Sequence, residues 1–367
     1  MGKVVLVTGV ARHLGSRFVR AVRREPGVDL VVGVDVQPST HDLSGPADRS
    51  GTADRAGTDA ALAEYRFVRA DIRRPTLARV IAEHAVDTVV HLNVSTTMLG
   101  STSRSTVKET NVIGTMQLLA AVQKAPSVQR LVVKSTTSVY GSAPRDPAVF
   151  HERMQPKVFP TGGFAKDAVE VEGYVRGFAR RRPDVAVCVL RFANIVGPQA
   201  DTPLNEYFAL PVLPTVLGYD PRLQFVHEDD AVEVLRLAAA EPRRGTTNSG
   251  TFNVAGEGVL VLSQAARRLG RPTVPMLLPA VSWVAGLARQ TGLLDFSPEQ
   301  MRMLTHGRVV DTTQLRETFG YTPRYTTDAA LADLAGSTRP GLLQPDQVAR
   351  WTTRVAELLP IGGGKTR

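Results

Sequence analysis

The chain has little of several things, and each shortage removes a class of function. Its 367 residues include one cysteine, Cys188, so no internal disulfide can form. Cys188 lies in the apolar run 185–190, the setting of a buried strand thiol rather than a nucleophile. A reducing cytoplasm suits such a chain. The amino terminus runs straight into the apolar stretch 4–7, without the charged, apolar and cleavage regions of a signal peptide. The longest apolar stretch, 274–288, is too short to span a bilayer and contains Pro275 and Pro279, so a membrane contact would be confined to the surface. The seven histidines have no ligand spacing, His84 and His91 reading as helix and strand positions, and no metal site is expected. No serine stands in a Gly-x-Ser-x-Gly elbow.

Acids are outnumbered, 35 against 44 lysines and arginines, for a formal charge of +9. The arginines come as scattered doublets, Arg73-Arg74, Arg243-Arg244 and Arg267-Arg268, mixed with acids. The densest run, Arg180-Arg181-Arg182, falls where a helix should end and its dipole favours cations. An anionic cofactor or substrate accounts for this charge better than a nucleic acid, and no nucleic-acid partner is expected.

What is present is an alternation of strands and helices. Buried-strand runs fall at 4–7, 30–34, 65–68, 88–92, 131–133 and 185–190. Between them lie helical patterns: Leu14, Phe18, Val19 and Val22; a long segment 107–122 with Val112, Met116 and Leu119 on one face; and 166–180. This predicts an α/β, Rossmann-type doubly wound parallel sheet over residues 1–197. Residues 37–63, rich in Ser, Thr, Gly, Asp and Ala, interrupt it as an expected mobile insertion, with a short helix at 59–64. Strands at 224–227 and 251–254 and helices at 229–240, 262–269, 274–289 and 297–304 predict a smaller C-terminal α/β substrate-binding region, 198–340, with some elements returning to the main sheet. Residues 341–367 read as a C-terminal helix and a frayed tail.

Three features carry chemistry. Thr8-Gly9-Val10-Ala11-Arg12-His13-Leu14-Gly15 follows the first strand and opens a helix. Glycines there let the backbone turn tightly beside a pyrophosphate, whose charge the helix N-terminus receives. Asp35 ends the second strand, where a carboxylate can accept from ribose hydroxyls. Asp71 follows the third strand, within reach of an adenine.

With His91-Leu92, Asn111-Val112-Ile113-Gly114-Thr115, Ser135-Thr136-Thr137-Ser138-Val139-Tyr140-Gly141, the segment from Leu190 to Pro198, His227-Glu228-Asp229-Asp230 and Phe319-Gly320-Tyr321-Thr322-Pro323, the chain resembles an extended short-chain dehydrogenase/reductase of the NAD-dependent epimerase/dehydratase family, which includes UDP-glucose 4-epimerase. The resemblance implies a cofactor site at Gly9, Arg12, His13, Leu14, Gly15, Asp35, Asp71, Ile72, Leu92, Lys166 and Asn194. It implies a catalytic pair in Thr136 and Lys166, a small-molecule substrate such as a nucleotide sugar, and hydride transfer. Tyr207, Arg222 and His227 fall where relatives bind the sugar nucleotide, and Asn111 where they support the active-site strand. Relatives often dimerise through a four-helix contact, here the helices 107–122 and 166–180.

Two departures stand out. Arg12 occupies the middle glycine of the family's loop. It reads either as a ligand of a phosphate, including the 2′-phosphate of NADP, or as a solvent-facing side chain. Asp35 would repel a 2′-phosphate and favours NAD. Secondly, the family's proton-transferring tyrosine, four residues before the lysine, is Gly162. Tyr174 lies about 12 Å beyond Lys166 along the helix, and Tyr140 fits a structural turn. His151 or Glu152 are candidate substitutes, and substrate-assisted chemistry is another route. The alternative reading is a catalytically degenerate NAD(P)-binding sensor or scaffold.

Overall fold

A computed structural model describes residues 2–41, 43, 62–94, 103–160, 162–277, 298–337 and 347. Its centre is a seven-stranded, all-parallel sheet in the order β3-β2-β1-β4-β5-β6-β11. The strands are β1 (Lys3–Thr8), β2 (Val28–Asp35), β3 (Glu64–Arg69), β4 (Thr88–His91), β5 (Arg130–Thr136), β6 (Ala186–Phe192) and β11 (Gly250–Val254). Parallel strands covered on both faces must be apolar throughout. Accordingly Leu6, Val31, Val32, Val89, Val90, Leu131 and Val132 are fully buried. The edge strand β3 instead alternates charged and apolar residues, which discourages pairing with another chain.

On one face, α1 (His13–Val22) and α7 (Glu228–Ala239) pack Phe18, Val19, Val234 and Leu235 against β1, β5 and β6. On the other, α2 (Leu77–Glu83), α4 (Thr115–Gln123) and α5 (Gly163–Arg181) close a second core around Ile81, Leu118, Val171 and Phe178. Arg182, just past α5, donates to the carbonyls of Val122, Ala125 and Val128 at 3.0–3.3 Å. The cation thus neutralises the negative end of α4 as well as of its own helix.

A second body follows β6. It contains β7 (Asn194–Val196), α6 (Pro203–Ala209), β8 (Leu213–Val216), β9 (Arg222–Leu223), β10 (Phe225–His227), β12 (Leu260–Val261), α8 (Leu262–Arg268), β13 (Thr273–Met276) and the helices Pro298–His306 and Thr327–Ser337. These enclose their own core around Tyr207, Phe208, Phe225 and Leu331. The strand β11 leaves this body to join the main sheet beside β6.

The structure corrects three expectations. The long helix at 107–122 is broken into α3 (Arg104–Glu109), a π-helical turn (Thr110–Gly114) and α4. The wider turn shifts the helical phase, so Val112 and Leu119 are buried but Met116 is exposed. The expected helix at 274–289 begins instead with β13, paired in parallel with β8; its remainder, 278–289, lies outside the described residues. Glu64, the expected end of a short helix, opens β3. The rest of that helix, most of the 37–63 insertion and nearly all of 341–367 lie outside the described residues. Among the described residues, no helix is long and apolar enough to cross a membrane.

A buried polar network ties β5, β6, β11 and α5 together. Arg191 of β6 donates to Glu172 of α5 at 2.9 and 2.6 Å and to Tyr140 Oη at 2.8 Å. Ser135 of β5 donates to Glu172 at 2.6 Å, and Tyr140 Oη donates to Asn253 of β11 at 2.8 Å. Removing one partner of a buried ion pair leaves an uncompensated charge. Arg191→Leu is therefore expected to lower unfolding stability by about 3–5 kcal/mol in urea titrations. Arg176→Leu, which removes only an exposed partner of Glu172, should cost less than about 1 kcal/mol.

Candidate active site

The loop after β1 is shaped by two glycines. Gly9 has φ +81°, and a Cβ there would stand 3.1 Å from the Leu92–Asn93 backbone. A Cβ on Gly15 would sit 2.1 Å from Gly9 O. The loop therefore folds flat against β4 and α1, and the first N–H groups of α1 face it. Arg12, in place of the family's middle glycine, has φ −88° and ψ 156°, extended backbone that any residue adopts. The substitution costs no strain. Its side chain lines a cavity rather than facing solvent. Burial there lowers the guanidinium pKa, opposed by the charges of Asp35 and Asp201.

Asp35 is buried at the tip of β2. It accepts from the N–H groups of Ala11 at 3.1 Å and Val36 at 2.8 Å, while burial pushes its pKa up. Asp71 is differently placed. Its carboxylate takes the backbone N–H, Nε and Nη2 of Arg73 at 2.7–3.0 Å, and this guanidinium holds it below the usual carboxylate range. Arg73 also reaches Glu109 at 3.0 Å. The carboxylate expected at an adenine is thus already engaged. Ile72 is buried against Gly114, and Leu92 is buried with its N–H on Thr8 O at 3.2 Å.

The cavity, about 490 Å³, extends from Arg12, His13 and Leu14 to Thr136, Asn194 and the second body. Gly9, Gly15, Asp35, Asp71, Ile72 and Leu92 are not among the residues that line it. Thr136, at the end of β5, donates to Ser138 Oγ at 3.2 Å and accepts the Ser138 N–H at 3.2 Å. Asn194 donates to Met303 Sδ at 3.1 Å. Lys166 is not with them. Phe164 and Ala165 line the cavity, but the Lys166 ammonium lies 3.9 Å from Glu170 and is 43% exposed.

The position of the missing tyrosine is open space. A Cβ on Gly162 meets nothing within 4 Å, and Gly163 has φ +65°. The helix α5 begins only at Gly163, because this left-handed residue ends any extension towards the cavity. None of the residues considered as substitutes stands ready. Tyr140 is locked between Arg191 and Asn253, and Tyr174 is exposed on α5. His151 and Glu152 line a separate, more open recess with Arg153, Thr251 and Asp311. There Glu152 accepts the Asn253 N–H at 2.8 Å, and burial raises its pKa. Tyr207 lines the cavity but donates its hydroxyl to Pro214 O at 3.0 Å. Asn111 donates to Asp167 at 3.2 Å within the core. His227 is buried, stacked on Tyr325 and 2.9 Å from Asp333. Neither His227 nor Arg222 lines the cavity.

Sequence reasoning missed other residues there. Arg302, His306 and Arg308 enter from the helix Pro298–His306 and the segment after it. Glu228, at the start of α7, stands 3.2 Å from His13 and 3.1 Å from Arg17. Lys134 projects from β5, donates to Val94 O at 3.1 Å, and has its pKa pushed down to about 8 by burial and by Arg12. A signal for Lys134 was visible: a lysine ending a β-branched run in a strand buried on both faces.

Comparisons with known proteins bear on the whole arrangement. A family model described as NAD dependent epimerase/dehydratase family matches residues 5–255. An uncharacterized protein of Mycobacterium tuberculosis is 42% identical over 364 residues, covering 99% of this chain and 92% of the relative. A UDP-glucose 4-epimerase of Mycolicibacterium smegmatis is 28% identical over 332 residues, covering 87% and 93%. Among solved structures, a Bacillus cereus UDP-glucuronic acid 4-epimerase variant in complex with NAD has a TM-score of 0.67 at 18% identity, covering 91% and 98%. A Stenotrophomonas maltophila UDP-glucose-4-epimerase with bound NAD has a TM-score of 0.65 at 19% identity, covering 98% and 100%. The two structures share the fold.

Loss of hydrogen bonds to a charged acceptor costs about 1.5–3 kcal/mol. Calorimetric titration of Asp35→Ala with NAD is therefore expected to give an affinity about 10- to 100-fold below the parent. Unchanged affinity would remove Asp35 from the site.

Proposed function

The chain belongs to the NAD dependent epimerase/dehydratase family, and from that premise we propose that it acts on a nucleotide sugar by hydride transfer, with NAD held along the Gly9–Gly15 loop. The observation that carries this reading is the continuity of one cavity from Arg12 at the N-terminus of α1 to Thr136 at the end of β5. The residues fit a dinucleotide. Two glycines keep the backbone clear for a pyrophosphate, and the buried Asp35 carboxylate suits ribose hydroxyls. When bound, NAD supplies the acceptor and donor of hydride.

The lining suits two diphosphates. Arg12 and Arg17 come from the α1 side, and Arg302, His306 and Arg308 from the second body, with Asp201 and Glu228 as the acids among them. Arginine matches phosphate oxygens in geometry as well as charge. In this reading Arg12 meets the cofactor pyrophosphate, the second group meets the sugar nucleotide, and the Thr136 hydroxyl donates to the reacting sugar oxygen. Lys166 is the proposed ribose ligand. Its ion pair with Glu170 is long and half-exposed, so little holds it from turning inward. The degenerate-sensor reading draws on Gly162 alone, whereas Thr136 keeps its place in the cavity.

Homodimer formation belongs to the same proposal. Ile113 of the π-helical turn, Met116 of α4 and Tyr174 of α5 are exposed, and the turn and α4 both pack on α5, which offers apolar side chains to a four-helix contact. Met116→Asp is expected to shift the sedimentation coefficient from dimer to monomer, and an unaltered monomeric coefficient in the parent would end this part of the reading.

The function is tested by adding UDP-glucose or UDP-glucuronic acid to protein saturated with NAD. Reduced nicotinamide should appear in the ultraviolet spectrum, and the C4 epimer or a dehydrated sugar in the proton NMR spectrum. Tight NAD binding with neither signal for either sugar would turn the reading to a sensor. Binding of NADP alone would make Arg12 a 2′-phosphate ligand.

A further inference from the structure

We propose that Lys134 is the proton-transfer residue of this site, acting from the strand β5 in place of a tyrosine at position 162. The inference rests on the hydride-transfer reading above. Its first support is placement. Lys134 and Thr136 are two residues apart on one strand, about 6.7 Å between Cα atoms, and side chains two apart share a face. Both line the cavity. The Lys134 side chain is long enough to cover that separation, so its nitrogen and the Thr136 hydroxyl can meet one substrate oxygen.

The second support is what the other groups are doing. Tyr140 and Tyr207 have their hydroxyls committed, Lys166 stands with Glu170, and His151 and Glu152 face another recess. Among the described residues the Lys134 nitrogen makes one hydrogen bond, to Val94 O, and the cavity gives a substrate access to it.

The third is the electrostatic setting. Arg12 faces Lys134 from the β1–α1 loop, and with burial it brings the lysine pKa down to about 8. On β4, His91 is fully buried between Thr8 and Thr115 and has its pKa lowered to about 3 by burial and by Lys134, so it adds no charge. On β6 the register partner is Leu190, which has no charge. Glu228 of α7 lines the same cavity but is held by Arg17 and His13. Asp201 lines the cavity as well, and its charge acts on Arg12; burial and Arg12 together hold the Lys134 ammonium down.

The step balances as follows. The neutral Lys134 amine takes the proton of the substrate hydroxyl while the carbon bearing it gives up hydride. The alcohol becomes a ketone, oxidised NAD becomes reduced NAD, and the proton rests on the Lys134 ammonium. In the return step the ammonium gives that proton to the ketone oxygen as the carbon regains hydride. Alcohol oxidation therefore rises with pH as the ammonium loses its proton, and ketone reduction falls.

The test begins with a readout that needs no turnover. Protein is labelled with acetic anhydride across a pH series, and each lysine is quantified by peptide mass spectrometry. Lys134 should label with a midpoint near 8, below the about 10.4 of a free lysine, with the exposed Lys108 and Lys124 quantified in the same series as references. Saturating NAD should protect Lys134 alone of these three. A Lys134 midpoint shared with Lys108 and Lys124 overturns the proposal whether or not a sugar is turned over. The second arm measures hydride transfer with the UDP-sugar that reduces bound NAD. Lys134→Met should lower kcat at least about 100-fold, with NAD affinity within a few-fold of the parent. Lys134→Arg keeps the charge but cannot release a proton, and should be equally slow. Full activity in Lys134→Arg, or a Lys134→Met defect confined to NAD affinity, would make the residue an electrostatic cofactor ligand instead. A low midpoint in a protein that turns over neither sugar would defeat the hydride-transfer reading and leave the titration of Lys134 standing.

Discussion

The orientation of the β5 terminus depends on the buried pairing of Glu172 with Arg191. In a strand, neighbouring side chains point to opposite faces. Ser135 lies in register with Arg191 and donates to Glu172 at 2.6 Å, which fixes it on the α5 side of the sheet. Lys134 and Thr136 are thereby fixed on the other side, over the cavity. A one-residue slip of β5 would exchange the two sets: it would turn Lys134 and Thr136 towards α5 and Ser135 over the cavity. Charges taken from water are a poor source of net stability. Here the pair also selects a register, and the register decides which residues meet a substrate.

The same network explains why Tyr140 cannot supply the missing chemistry. Its hydroxyl donates to Asn253 and accepts from Arg191, and its ring stacks on Phe150 at 4.8 Å between centroids. Freeing it would cost two buried hydrogen bonds and uncouple β11 from the end of β5. The tyrosine is part of the frame that holds the strand end.

Much of this frame was legible in the sequence because it depends on local pattern. Apolar runs between helical periodicities marked six strands of the sheet, and the glycines of the first loop sit where a side chain collides with backbone. What stayed hidden depends on partners far away in the chain or on local backbone geometry. The π-helical turn at Thr110–Gly114 moved Met116 to the surface, and a regular 3.6-residue period cannot register that insertion. The segment Thr273–Met276 reads as a helix start until β8 offers it an edge. Asp71 has the family's position, but Arg73, two residues on, has taken its carboxylate. The resemblance marks Lys166 as catalytic, but its side chain lies beside Glu170, one turn along α5, a local pairing that the motif does not reveal.

The two departures from the family pattern read as separate defects in sequence and become one arrangement in space. A proton-transferring group must have its pKa brought near the working pH. For a tyrosine, the usual means is a nearby cation that favours the phenolate. For a lysine, a nearby cation acts in the same downward direction, because it disfavours the ammonium. Arg12, at the place of the loop's middle glycine, is that cation: with burial it lowers Lys134, which faces the same cavity. The extended backbone at position 12 admits the side chain without strain. The gain of Arg12 in the loop and the loss of tyrosine at 162 therefore belong together. The proton-transfer duty passes from a helix to a strand, and the cation that tunes it passes from Lys166 to the cofactor loop.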